Sequence, residues 1–162
     1  MIKRLLIALL TLSVVFSTVS CGEDTESFAC SELTLVMPSD FYEAEDDEYD
    51  MLLTNGRATA AVTRISFLAA MQQGIPETYT DGEFAEFFMN KTGADSTVYV
   101  YGDTPYYTYN YVAGTTSVFC TAAFYKTPYA YFFVLFSTPS AYEDEWREKF
   151  LEIADSVIFN LT

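Results

Sequence analysis

The dipeptide Asn55-Gly56 constrains this chain more than any other short feature. It stands between two strand-like runs, Tyr49–Thr54 and Arg57–Phe67. Such a connection favours a type I′ turn with positive φ at both positions, so an antiparallel hairpin is predicted there. The same rhythm recurs downstream. Val98–Tyr101 leads through Gly102-Asp103-Thr104-Pro105 into Tyr106–Val112, and Thr115–Lys126 turns near Thr127-Pro128 into Tyr129–Ser137. Tyr131–Phe136 is apolar on both pleat faces, the pattern of a central strand covered on both sides. Leu33-Thr34-Leu35-Val36-Met37, stopped by Pro38, reads as a first strand.

Helical signals are fewer. Thr80-Asp81-Gly82-Glu83 is a capping box, Phe84, Phe87 and Phe88 fall on one helical face, and Gly93 ends the run. Ser140 and Glu143 suggest a second box, followed by Trp146, Phe150, Ile153, Ala154 and Val157 on one face. Leu68–Gln73 fits a short helix without requiring one, and Val157-Ile158-Phe159 either extends the last helix or adds an edge strand. The order is β, ββ, α, ββ, ββ, α. Hairpins at this density imply an α+β fold, a mostly antiparallel sheet flanked by helices.

The N-terminus has another character. Lys3 and Arg4 precede Leu5–Val19, an uncharged, largely apolar run that is shorter than the roughly 20 residues a spanning helix needs. This is the form of an export signal. Ser17-Thr18-Val19-Ser20-Cys21 resembles a bacterial lipobox, which implies cleavage before Cys21 and acylation of its sulfur. The expected organisation is residues 1–20 as lipoprotein signal peptide, 21–31 as lipidated cysteine and acidic tether, and 32–162 as one domain. Cys30 and Cys120 then remain as two thiols in an oxidising compartment. Paired, they would close a long loop; otherwise they are separately buried. With a bacterial signal, the Asn90-Lys91-Thr92 and Asn160-Leu161-Thr162 sequons read as chance matches.

Charge narrows the partners. The chain has eight Lys and Arg against 23 Asp and Glu, and no histidine. Removal of residues 1–20 leaves six basic side chains and a formal −17. Such a body repels polyphosphate, so nucleic acid is excluded, and it cannot adhere electrostatically to an anionic bilayer. The expected contact with the cell membrane is the lipid on Cys21, on the extracytoplasmic side. Lack of histidine removes Ser-His-Asp and Cys-His catalysis. No P-loop, G-x-S-x-G or dinucleotide motif occurs. No catalytic residue, cofactor or metal is therefore assigned.

The acidic run Glu43–Asp50 lacks the ligand spacing of an EF-hand and reads as a solvated loop. Tyrosines are the more distinctive feature. Tyr99 and Tyr101 share one face of their strand, as do Tyr107, Tyr109 and Tyr111 of theirs. They form either a surface for an envelope protein, peptide or sugar, or a set of cross-strand pairs that stiffens the hairpin.

Leu33-Thr34-Leu35…Pro38-Ser39-Asp40-Phe41, the hairpins, and a closing segment Phe150…Ile153-Ala154-Asp155-Ser156-Val157-Ile158-Phe159 together resemble the PsbP-like family of αβα sandwiches. The resemblance implies a non-enzymatic domain that docks on a membrane partner or binds something small, and it supplies no catalytic residue. The expectation is an extracytoplasmic, membrane-anchored binding or scaffolding module. Its rival is an acidic two-carboxylate hydrolase acting on cell-envelope glycan, which would need two carboxyls facing one cleft.

Overall fold

The structure is a computed structural model and describes residues 24–161. The expected signal peptide and Cys21 lie outside the described residues. The first element, β1 (Thr25–Cys30), pairs antiparallel with β2 (Leu33–Pro38), from Thr25↔Pro38 to Cys30↔Leu33, around Ser31 at φ 50°. This corrects the tether expected over residues 21–31, because its second half is a strand. Its side chains are largely exposed, and what recruits it is the open hydrogen-bonding edge of β2.

Three strands follow as a meander: β3 (Tyr42–Ala44), β4 (Met51–Thr54) and β5 (Thr59–Ser66). Next come α1 (Phe67–Gln72) and α2 (Asp81–Thr92). Then β6 (Tyr99–Tyr101), β7 (Thr104–Ala113), β8 (Thr116–Lys126) and β9 (Ala130–Pro139) run as consecutive hairpins. A 3-10 turn, Ser140–Tyr142, enters α3 (Glu143–Asp155), and β10 (Ile158–Phe159) closes the chain against β2.

The main sheet is antiparallel throughout, in the order β3-β4-β5-β9-β8-β7-β6, and a small sheet has the order β1-β2-β10. Strand β9 is central, as its two apolar faces require. Ala130, Phe132, Val134 and Phe136 meet α3 and β2 on one side, while Tyr131 meets α1 and α2 on the other. In the first layer Phe150 stacks between Phe136 (5.2 Å) and Trp146 (5.4 Å). In the second, Phe84 stacks on Tyr131 at 4.5 Å and meets Phe124 edge-on at 5.4 Å. The Tyr131 hydroxyl donates to the carbonyls of Pro76 (2.7 Å) and Tyr79 (3.0 Å), which fastens the α1–α2 connection to the sheet.

Local chemistry decides the turns. The Thr80–Glu83 capping box forms as expected, and Gly93 ends α2 at φ 68°. The hairpin at Asn55-Gly56 forms, but not as a type I′ turn. Thr54 opposes Thr59 across a four-residue loop in which Gly56 alone has positive φ. Asn55 Oδ1 accepts from the amides of Arg57 (3.0 Å) and Ala58 (2.9 Å), and its Nδ2 donates to Asp40 (2.9 Å). Ala58 is buried, so the longer loop adds a methyl group to the core.

The second capping box does not form. Ser140 Oγ is taken by Ser117 Oγ at 2.8 Å, and Glu143 is engaged by Arg147 one turn along α3.

Cys30 and Cys120 are free thiols. Cys30 packs against the α3 layer, with Sγ 3.4 Å from the Asp50 carbonyl oxygen. On β8, Phe119, Ala123 and Tyr125 face that layer while Ala122 and Phe124 face α2. Strand alternation therefore turns Cys120 to the α2 side, and the main sheet separates the two sulfurs. A bridge between them is not compatible with this register.

Candidate functional site

The hairpin β6–β7 carries the five tyrosines singled out in the sequence. Its turn holds two residues, Gly102 and Asp103, so Tyr101 opposes Thr104 and Tyr99 opposes Tyr106. Opposed residues share a face, so odd-numbered residues of β6 lie with even-numbered residues of β7. Tyr99 and Tyr101 therefore lie on the α3 side with Tyr106, whereas Tyr107, Tyr109 and Tyr111 lie on the α2 side. The structure does not bring the five together, which corrects the reading of them as one binding surface.

Each row then has its own role. Tyr107 is buried, stacks on Phe124 at 5.5 Å and lies 5.8 Å from Tyr109. Tyr111 continues the row 6.3 Å beyond Tyr109 and is 45% exposed. Burial pushes the hydroxyls of Tyr107 and Tyr109 above their ordinary range. Burial likewise raises the Cys120 thiol to about 11, which makes it a poor nucleophile at neutral pH. On the opposite face Tyr99 is exposed and sits 5.8 Å from Tyr106. Of these residues, Tyr111 and Tyr99 offer surface; Tyr107 belongs to the core.

Beyond Tyr106 the outer edge of β7 has no strand partner among the described residues, because β6 spans only Thr104 to Tyr106. Asn110, Tyr111, Val112 and Ala113 are all exposed. An open depression of about 430 Å³ adjoins this edge, lined by Asp95, Thr108, Asn110, Tyr111 and Arg147 among others.

A second concavity was not legible in the sequence. About 560 Å³ in volume, it is bounded by Asp24, Asp40, Asn55, Arg57, Trp146 and Lys149, which meet from four separate stretches of chain. Lys149 stands over the Trp146 ring at 5.2 Å, and the buried indole N–H of Trp146 has no acceptor among the described residues. With both signs of charge at its rim, this concavity suits a polar group of either sign but assembles no nucleophile and base.

The acidic segment is solvated: Glu43, Glu45, Asp46, Asp47 and Asp50 line an open depression of about 500 Å³. Among the described residues no three carboxylates or thiols converge closely enough to hold a metal ion. Displaced titrations elsewhere trace to structural partners. Glu32 accepts from Arg64 Nε (3.0 Å) and Nη2 (3.1 Å), which holds its carboxyl below the usual range and raises the guanidinium. Glu83 is lowered by the Thr80 amide and hydroxyl of its capping box. Burial raises the Tyr125 hydroxyl, which donates to the Ala154 carbonyl at 2.8 Å.

No family model and no curated protein matches the chain. Solved structures do. The solution structure of cyanobacterial PsbP (CyanoP) from Synechocystis sp. PCC 6803 superposes with a TM-score of 0.55, covering 90% of this chain and 99% of that one at 14% identity. The fold is PsbP-like. A crystal structure from Bacteroides thetaiotaomicron VPI-5482 shares it, with a TM-score of 0.58 and 14% identity over 83% of this chain. The PsbP-like chain described here spans about half of that protein, 48% of its length. At such identity the likeness concerns the fold.

Proposed function

We propose that this chain is an extracytoplasmic lipoprotein, anchored through Cys21, whose PsbP-like domain is a non-enzymatic binding or scaffolding module for a protein, peptide or sugar of the cell envelope. One observation carries the reading: the first described strand begins at Thr25, only four residues after Cys21. Four Cα-to-Cα steps reach about 14 Å at most, so an acylated Cys21 would hold β1 and β2 close against the bilayer. The acidic body gains nothing from the bilayer electrostatically, and the lipid supplies the attachment. A binding role is supported by the ionisable groups, whose displacements arise from ion pairing, capping and burial. The contact surface is the exposed end of the β7–β8 hairpin, where Tyr111 and Val112 (71% exposed) stand clear of the body.

The test is intact mass of the protein taken from its own membrane. The expected mass begins at Cys21 and includes acyl chains, and Cys21→Ala moves the protein to the soluble fraction. An unprocessed, unacylated chain recovered from the cytosol would refute the reading.

A further inference from the structure

The edge of β7 beyond Tyr106 has a definite hydrogen-bonding pattern. Two hairpins fix it independently. Tyr101↔Thr104 closes the two-residue turn at Gly102-Asp103, and Ala113↔Thr116 closes the two-residue turn at Gly114-Thr115. The pair closing such a turn exchanges both of its backbone bonds, and bonded residues then alternate along the strand. Counting from Thr104, even-numbered residues of β7 turn their N–H and C=O toward the β6 side. Counting from Ala113, odd-numbered residues turn toward β8. The two counts agree. Thr108, Asn110 and Val112 therefore present six backbone groups outward, past the end of β6.

This edge is also undefended. Natural sheets protect edges with lysine, proline or inward charges. Here no charged residue occurs from Thr104 to Tyr125, in a chain whose formal charge is −15. The adjoining depression leaves the edge uncovered, and its charged members, Asp95 and Arg147, are of opposite sign.

We propose that a second copy of this chain adds to that edge, antiparallel, about a two-fold axis at Asn110. The proposal rests on the reading of the hairpin end as the contact surface and names its occupant. Two features select a second copy. First, a strand whose outward groups sit at 108, 110 and 112 is its own complement. Asn110 opposes Asn110 and Thr108 opposes Val112 of the other copy, so all six outward groups of each strand are bonded. In the same register Tyr109 opposes Tyr111 of the other copy, and the Tyr107–Tyr109–Tyr111 row continues across the axis as aromatic cross-strand pairs. Second, charge excludes the usual alternative. A basic partner is drawn to the acidic surfaces, whereas two acidic copies meet without opposed carboxylates only along a neutral strand. A two-fold contact of this kind also closes on itself, because it uses the same edge of both copies.

The experiment is sedimentation of the full processed chain in detergent across micromolar concentrations. Wild type is expected to be a dimer. Asn110→Lys with Val112→Lys brings like charges together at the axis and should weaken association more than about a hundredfold. Thr108→Pro deletes one outward N–H without touching the β8 side and should weaken it about tenfold. Leu68→Lys with Met71→Lys, at exposed apolar positions on α1, should leave the dimer intact. Circular dichroism of each variant reports whether it is folded. A wild-type chain that stays monomeric, or a folded 110/112 variant that stays dimeric, overturns the proposal. If wild type is monomeric yet carries an envelope protein that the lysine pair releases, the second copy is refuted while the binding-module reading stands. If the dimer forms on unacylated chain from the cytosol, the edge pairing stands and the lipoprotein reading falls.

Discussion

Gly102 of the β6–β7 turn lies close against Asp155 of α3, and adding one methyl group there has a calculable effect. Its φ is +57°, and a Cβ built on it would lie 2.0 Å from Asp155 Oδ1, 2.6 Å from Cγ and 2.9 Å from Oδ2. Two costs follow for Gly102→Ala. The left-handed backbone costs an L-residue about 1–2 kcal/mol, partly offset by the smaller unfolded-state entropy of alanine, for a net of about 1 kcal/mol. The clash adds a second term. Because Cγ itself is inside contact distance, rotating the carboxylate about its own axis does not clear the methyl group. Asp155 must leave its rotamer or α3 must shift, for about 1–1.5 kcal/mol more. The expected loss is therefore about 2–2.5 kcal/mol. Asp155→Ala removes every clashing atom and should itself be nearly neutral, since a carboxylate in the last helical turn opposes the helix dipole. In that background Gly102→Ala should cost only about 1 kcal/mol, a coupling of about 1–1.5 kcal/mol between the positions. Urea unfolding at one fixed protein concentration measures this. Trp146, the chain's one tryptophan, stacks on Phe150 and reports the α3 layer. A Gly102→Ala loss below about 0.5 kcal/mol, or one unchanged by Asp155→Ala, would refute the reasoning.

Three further outcomes are expected. Phe150→Ala empties the slot between Phe136 and Trp146 and should cost about 3–5 kcal/mol in the same assay, with a shift in tryptophan emission. Glu32→Gln breaks the bidentate, partly buried pair with Arg64 and should cost about 1 kcal/mol at neutral pH. Because Arg64 lowers the folded-state pKa of Glu32, that stability is complete above the ordinary carboxylate range and is lost as pH falls through the lowered value. The gap between wild type and Glu32→Gln should therefore close in acid, and a gap that persists there would exclude the ion pair as its source. In alkylation of the native protein at mildly alkaline pH, Cys30 should react slowly and Cys120 should stay protected until unfolding, as read by peptide mass. Equal rates would contradict the difference in their burial.

What the sequence discloses is what local periodicity and turn chemistry determine. The two-faced apolar run at Tyr131–Phe136 announces a central strand, and Thr80 with Glu83 announces a helix start, because each depends on neighbours a few residues away. Strand β1 escapes such reasoning. Its apolar face is only Phe28 and Cys30, too short to announce a strand, and the segment becomes one through hydrogen bonds to β2. Ser140 shows a local signal overruled, since its hydroxyl finds Ser117 on a distant strand. The division of the tyrosines is readable once the turn is known to hold an even number of residues. The cavity beside Trp146 is not readable at all, because Asp24, Arg57 and Lys149 meet only after the chain has folded.

The pairing of β5 with β9 sets the order in which the molecule can assemble. Thr59 opposes Ser137 and Ser66 opposes Ala130, so the main sheet cannot close until two helices and three strands have been made. The small sheet waits longer still, because Ile158 opposes Thr34. Contacts so distant along the chain place the domain among slow, topology-limited folders. Until β9 is available, the margin of β5 that it covers has no partner on that side. A cell that makes this chain must keep that margin from other nascent chains until the last hairpin arrives.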